Sequence, residues 1–244
     1  MASGFLIFIS FFTRIPIGRK IEYNEEKFKK ALSIYTLMGA VIGLLLSLIY
    51  LIFNSIHIVF IRGLILVIGY IVITGGIHLD GAADTADGLF SGRTGEKIFD
   101  IMSDSHIGAF GVLCLVIIVL SQFVVFSFSD IFTCFMMPVV GRASLIVGAW
   151  NKKYAKHTKG MGTAFIESID TRVLIINLMI LTVFSIMSPR RLIIITSAFA
   201  TLMASYFISG LIEDKIGGMT GDTCGFITEI SQIIFMILVL FLKG

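Results

Sequence analysis

The sequence predicts an all-α fold: a polytopic integral membrane helical bundle of about seven transmembrane helices, with an interfacial or re-entrant N-terminal segment. Three observations carry that prediction. Of 244 residues, 57% are hydrophobic and only 14% charged, against about 25% charged in ordinary globular proteins. The mean hydropathy is +0.98. Apolar runs of about twenty residues, the length that crosses a bilayer, recur along the chain. Lipid then replaces a soluble core, and every backbone polar group has to be satisfied within helices.

Seven spans are expected at about 31–53, 57–75, 108–128, 131–149, 172–188, 191–212 and 225–242, in one transmembrane domain covering 1–244. The stretch 4–12 is too short to cross and belongs at the interface or in a re-entrant segment. "MASGFLIFISFFTRIPIG" has neither a basic leader nor a small-residue cleavage site, so it is expected to be retained. Cys114, Cys134 and Cys224 show no metal spacing and no disulfide framework, and they read as small packing residues. A net charge of +3 implies no general affinity for nucleic acid.

Lysine and arginine set the orientation. Arg14, Arg19, Lys20, Lys27, Lys29, Lys30, Arg93, Lys97, Lys152, Lys153, Lys156, Lys159, Arg172 and Lys215 fall on one side of a seven-span chain. The other side keeps Arg190, Arg191 and Lys243. The N-terminus is therefore expected in the cytoplasm, the C-terminus outside, and the protein in the cytoplasmic membrane. The polar loops at about 13–30, 76–107, 150–171 and 213–224 then all face the cytoplasm. A transporter needs groups reachable from both sides and ionisable residues near the midplane. Acids gathered at one end favour chemistry at the cytoplasmic face.

Those acids lie in "GGIHLDGAADTADGLFSG" and "EKIFDIMSDSHIG". If 77–90 continues the second span as a helix, Asp80, Asp84 and Asp87 are spaced i, i+4, i+7 and share a face within about 60°. A second helical stretch running into the third span sets Asp100 and Asp104 at i, i+4. The pair would form a helical hairpin with two carboxylate faces converging at the membrane surface. Unit charges about 4 Å apart repel by about 4 kcal/mol at an effective dielectric of about 20. Such a cluster needs protonation or a divalent cation. Oxygen-only ligation suits Mg²⁺, Mn²⁺ or Ca²⁺, and Mg²⁺ characteristically shares its shell with substrate phosphates. The spacing thus points to a phosphate or diphosphate substrate. His78 is a further candidate, as a general base or a helix-end structural residue, and His106 is of the same kind; His57 and His157 are given no role.

The loop "GGMTGDTCG" at 217–225 offers Thr220, Asp222 and glycine backbone N–H groups at the start of the last span, where an anion is favoured. It is not a P-loop, because no Gly-Lys-Ser/Thr follows. "KHTKGMG" at 156–162 supplies lysines that serve either phosphate or topology. Arg62 and Arg142 lie within spans, where a charge is costly and is usually partnered or functional.

"GGIHLDGAADTADG", "DIMSDSHIGAFG" and "GGMTGDTCG", with "TRIPIG" at 13–18 and "KHTKGMG", together resemble the cobalamin synthase family of adenosylcobinamide-GDP ribazoletransferases, over most of the chain. Ala82, His106 and Phe226 depart from the family pattern, which has a larger aliphatic, an arginine and a small residue there. The resemblance implies an Mg²⁺-dependent membrane enzyme. The 3′-hydroxyl of α-ribazole or its 5′-phosphate attacks the cobinamide-bearing phosphorus of adenosylcobinamide-GDP, and GMP leaves. It further implies one or two Mg²⁺ held by Asp80, Asp84 and Asp87, with Asp104 completing the site. Asp100 or His78 removes the hydroxyl proton, and Arg93, Lys97, His106, Thr220, Asp222 and Arg14 contact substrate. Homo-oligomers or complexes with other cobalamin-assembly enzymes are compatible partners, besides the bilayer and the two small molecules.

CDP-alcohol phosphotransferases are the nearest rival. The Ala-Arg pair they carry after the aspartate-glycine step is replaced here by Ser91-Gly92-Arg93, and the two aspartate blocks stand too close together. Membrane prenyltransferases carry a second aspartate motif in another loop, where this chain has only Asp222. A cation transporter or channel is the rival of a different class.

Overall fold

A computed structural model describes residues 2–17, 22–156 and 160–244. Arg19, Lys20, His157 and Lys159, named above, lie outside the described residues, as does part of 156–162. The described residues form helices α1 (Ala2–Phe12), α2 (Glu25–Ala31), a 3₁₀ turn (Leu32–Ile34), α3 (Thr36–Ile52), α4 (Val59–Thr74), α5 (Ile77–Phe90), α6 (Glu96–Met102), α7 (Ala109–Phe128), α8 (Ile131–Ala149), α9 (Met161–Ile166), α10 (Thr171–Met187), α11 (Arg191–Ile216) and α12 (Gly221–Lys243). No strand occurs among them; one isolated parallel bridge joins Tyr154 to Met219.

Each of the seven expected spans coincides with an apolar helix, and the count of seven is approximate. Four helices (α7, α8, α11 and α12) are long and apolar enough to cross a membrane alone, and there are six if each of two bent pairs is one span. The 3₁₀ turn and α2 meet α3 at 69°, and α4 meets α5 at 91°. α10 is shorter, at 17 residues, held between the Asp170 cap and Pro189. α1, at 11 residues, is too short to span, as its sequence predicted.

α8 lies at the centre, buried almost end to end, with α3, α10, α11 and α12 around it. Its contact with α3 is unusually close. Gly39 and Gly43 stand four residues apart on α3, and a Cβ on either would come within 2.3 Å of a backbone carbonyl of α8, at Pro138 and Phe135. Between helices in lipid, where hydrophobic driving force is absent, small residues at this spacing let backbones meet and gain van der Waals contact. The outer surfaces remain apolar. Leu113, Ile117 and Leu120 on α7 and Phe199, Met203 and Phe207 on α11 are exposed, as a lipid-facing belt requires.

Polar side chains pin the breaks and the core. At the 69° bend, Asn177 of α10 accepts from the Thr36 N–H at 2.7 Å and donates to the Leu32 carbonyl at 2.8 Å. The backbone groups released by the bend are thereby satisfied, which lipid demands. Deeper in the bundle Glu229 of α12 accepts from Tyr70 Oη (α4) and Gln122 Nε2 (α7), each at 2.7 Å. Arg142 of α8 is fully buried, and its charge faces Glu229, Tyr70, Tyr35 and His78.

The two ends of the bundle differ. At one, Asp130 caps α8 and gathers Arg190 at 2.6 Å and Lys243 at 3.4 Å, tying α8, α11 and α12. At the other lie α1, α2, α5, α6 and α9 with the aspartates of α5 and α6. Gly39→Leu on α3 is expected to lower the unfolding temperature of detergent-purified protein, by the equivalent of about 1–3 kcal/mol or more. An unchanged Tm would mean that α3 does not rest on the α8 backbone.

Candidate active site

The site begins at a break. Gly75 and Gly76 both adopt left-handed backbone (φ +66° and +71°), a conformation that glycine reaches without a Cβ clash. They end α4 and turn α5 through 91°, so 77–90 does not continue the span as the sequence reading supposed. The helix itself survives, and with it the i, i+4, i+7 register. With three aspartates in 14 residues and this turn, α5 lies off the spans at the polar end. Arg14 is spent on the break: its N–H donates to the Ile73 carbonyl at 2.8 Å, and its side chain covers Gly75.

Between Asp80 and Gly88, α5 is otherwise made of small residues, and that is what brings the acids a partner. A Cβ on Gly81 would stand 2.8 Å from the Asp222 carbonyl oxygen, and one on Gly225 would stand 2.8 Å from that of His78. The two backbones are in contact, which sets the first turn of α12 beside Asp80 and Asp84. That turn is fixed by Thr220. Its hydroxyl accepts from the Thr223 N–H at 3.2 Å while Thr223 Oγ1 accepts from the Thr220 N–H at 2.8 Å, a reciprocal cap. Thr220 is fully buried and serves α12, whereas Asp222 is half-exposed. Backbone bonds of 2.9 Å from Ala155 to Met219 and from Met219 to Lys153 hold the 153–156 segment against this turn. Lys156 Nζ then lies 3.2 Å from Asp222 Oδ2 and 3.4 Å from Ser103 Oγ.

Asp80 is exposed and Asp84 half-buried. Burial, and then the negative charges of Asp80, Asp222 and Asp87, push the Asp84 carboxyl up to about 6, against the pull of Lys156. The patch carries more negative charge than its lysine offsets.

Asp87 has a different job. It is buried, and its two oxygens accept from the Gly108 N–H at 2.7 Å and the Gly111 N–H at 2.8 Å. It caps α7 from another helix, at the end where unpaired N–H groups and the helix dipole favour an anion. Gly108 and Gly111 make room, since a Cβ on either would lie 2.3 Å from a carboxylate oxygen of Asp87.

The second acidic block departs from its expected helix. α6 ends at Met102, so Asp100 and Asp104 do not share a helical face running into α7. Asp104 sits in a turn, where its Oδ1 accepts from the His106 N–H at 2.9 Å and meets His106 Nδ1 at 2.8 Å. Such side-chain-to-backbone bonds compete with helix, and they hold the Asp104 carboxyl below its usual range. Asp100, Arg93, Lys97 and His106 are all exposed on this outer wall. Lys215 closes the other side by donating to the Leu89 carbonyl near the end of α5.

Beneath Asp80 and Asp222 lies a cavity of about 180 Å³, walled by Phe11 and Phe12 of α1, Phe28 of α2, Met161, Gly162 and Phe165 of α9, Leu145, Cys224, Gly221, Gly81, Ile77 and His78. His78 is buried, its ring 5.5 Å from that of Phe12. Burial and the Arg142 charge hold its imidazole well below the ordinary value. The aromatic wall went unseen in the sequence because its members come from three short helices, two near the N-terminus and α9 far along the chain. Lys156 was visible in the sequence as a residue for phosphate or for topology, not as a partner of Asp222.

A family model described as cobalamin-5-phosphate synthase matches residues 4–240. A relative from Alkaliphilus oremlandii, adenosylcobinamide-GDP ribazoletransferase, is 38% identical over 98% of this chain and 97% of its own length. The chain belongs to the cobalamin-5-phosphate synthase family. Proteins of the same name from Acetivibrio thermocellus and Clostridium acetobutylicum are 33% and 34% identical, each over 96% of this chain and 95% and 94% of their own lengths. No solved structure matches.

Of the residues that the family resemblance singled out, Asp80, Asp84 and Asp222 meet in one patch, Thr220 and Asp87 cap helices, Arg14 covers the break, and Asp104 pairs with His106. Among the described residues no three His, Cys, Asp or Glu side chains are gathered tightly enough to hold a metal ion by themselves. Asp87→Ala is expected to bare two N–H groups of α7 and cost about 2 kcal/mol or more, read as a fall in Tm and faster amide exchange at Gly108 and Gly111. Asp84→Ala, which relieves charge crowding, is expected to leave Tm unchanged or higher.

Proposed function

We propose that this protein transfers the cobinamide phosphate of adenosylcobinamide-GDP to the 3′-hydroxyl of α-ribazole or its 5′-phosphate and releases GMP, using Mg²⁺. One observation carries the reading: two sequence blocks about 140 residues apart, 80–84 and 222, meet as a carboxylate patch because α5 and α12 touch backbone to backbone. Relatives that match almost end to end carry the corresponding enzyme name.

The donor set suits Mg²⁺. Every candidate ligand is a carboxylate oxygen, and Mg²⁺ takes one or two carboxylates, completing its shell with water and substrate phosphate. Asp80 and Asp84, one turn apart, would hold the ion, with water and substrate phosphate completing its shell and Asp222 facing them across the patch; Asp104, engaged with His106, stays outside this set. When bound, the ion supplies a Lewis acid that offsets charge on the diphosphate oxygens.

The chain's own residues do the rest. Lys156 steadies Asp222 and presents a positive charge beside the patch. Arg93 on the α5–α6 connection and Lys97 in the first turn of α6, both exposed, receive the GMP side of the diphosphate. The acceptor oxygen forms a bond to the cobinamide-bearing phosphorus as the bond to the GMP oxygen breaks, and GMP keeps that electron pair. Asp100, exposed to solvent on α6, takes the hydroxyl proton in this reading. The lysine and arginine distribution supports a cytoplasmic position for the patch, where both soluble substrates are available.

Purified protein given adenosylcobinamide-GDP, α-ribazole and Mg²⁺ is expected to release GMP, and chelation of the metal is expected to stop it. Asp84→Asn and Asp222→Asn should each lower turnover at saturating Mg²⁺ by about 100-fold or more. Near-normal turnover of Asp84→Asn would remove Asp84 from the metal site, and no GMP from the wild type would remove the reading.

A further inference from the structure

We propose that the cavity under the carboxylate patch is the subsite for the flat aromatic base of the acceptor nucleoside, with His78 hydrogen-bonding the base's unsubstituted ring nitrogen. This rests on the transferase reading above and goes further by assigning the acceptor's position.

Size and lining agree with a single flat ring system. The cavity measures about 180 Å³, and cavities of about 150 Å³ take one benzene ring. Phe12, Phe28 and Phe165 form its walls, and they are held by a second row of rings. Phe8 lies 5.0 Å from Phe28, and Tyr35 lies 5.0 Å from Phe165 and 5.5 Å from Phe12, all edge to face. Such packing fixes the wall before a ligand arrives, so stacking on it costs little reorganisation.

The polar content selects which ring. His78 is only 4% exposed, it lines the cavity, and among the described residues no hydrogen bond joins its imidazole to a protein group. A buried imidazole without a partner is costly, and a ligand in the cavity would give it one. An imidazole has an N–H to give in every charge state. A benzimidazole attached to ribose through one ring nitrogen has its other nitrogen as a lone acceptor, which one imidazole satisfies. The guanine of the donor carries an amine, a carbonyl, one ring N–H and ring-nitrogen acceptors, and phenylalanine walls would leave most of them unpaired. Phosphate is excluded by the same walls and by Asp80 and Asp222 at the rim.

The rim gives direction. With the base inside, the ribose emerges between Asp80 and Asp222, and its hydroxyl arrives at the patch. His78 is then a binding residue and leaves the proton to Asp100.

The test titrates α-ribazole into full-length protein in detergent by calorimetry, without donor or metal, beside the riboside in which carbon replaces the free ring nitrogen. Wild type is expected to bind α-ribazole at least tenfold more tightly than the carbon analogue, and His78→Phe to bind both equally and weakly. A second variant, Gly221→Leu, adds a side chain where a Cβ meets nothing within 4 Å; it is expected to keep the wild-type Tm and lose α-ribazole binding at least tenfold. In turnover, His78→Phe should raise KM for α-ribazole at least tenfold with kcat within about threefold. Equal binding of the two ribosides by wild type, competition by GMP for the cavity, or a lowered kcat at unchanged KM in His78→Phe would each overturn the proposal. Nitrogen-dependent α-ribazole binding by a protein that releases no GMP would uphold the subsite while defeating the transferase reading.

Discussion

The backbone contact between α5 and α12 is the constraint on which the polar end depends. Two glycines, Gly81 and Gly225, let two helices approach until carbonyl oxygens occupy the space a methyl group would need. Without that approach Asp222 would stand a side chain further from Asp80 and Asp84, and the patch would separate into two acidic helix ends. The Gly75–Gly76 break makes the approach possible by turning α5 out of the line of α4. In lipid such a break is tolerated only if the released backbone groups find partners. Arg14 supplies one by donating to Ile73.

The same economy appears in Asp87. Three aspartates on one helical face look alike in a sequence, yet they meet three environments: solvent at Asp80, partial burial at Asp84, and the N-terminus of α7 at Asp87. The last ties the acid-bearing helix to a span. A charge that adds to the crowding at Asp84 is itself stabilised by two N–H groups and a helix dipole. On the proposed function, the acidic face is thus divided between holding the fold and holding a ligand.

The fold class was legible because the bilayer imposes it: apolar runs of spanning length leave few alternatives, and every expected span met a helix. The i, i+4, i+7 register of Asp80, Asp84 and Asp87 was legible for the same local reason. The 91° turn was not, since a Gly-Gly pair marks a break without giving its angle. The early end of α6 was hidden because "SDSH" reads equally well as helix or as a turn closed by Asp104. Long-range partners left no local trace. Nothing about Lys156, Phe12, Phe28 or Phe165 in their own neighbourhoods says that α1, α2, α9 and α12 surround α5.

That arrangement carries a consequence for biogenesis. α1 and α2 supply walls of the cavity and α12 supplies Asp222, so the site draws on helices from opposite ends of the sequence. While the ribosome is still making α11, Asp80 and Asp84 are already at the membrane without their partner, and the glycine face of α5 has nothing to pack on. On the proposed function the site is completed only with the insertion of α12, and a chain interrupted before that point lacks Asp222 however many of its spans are in place.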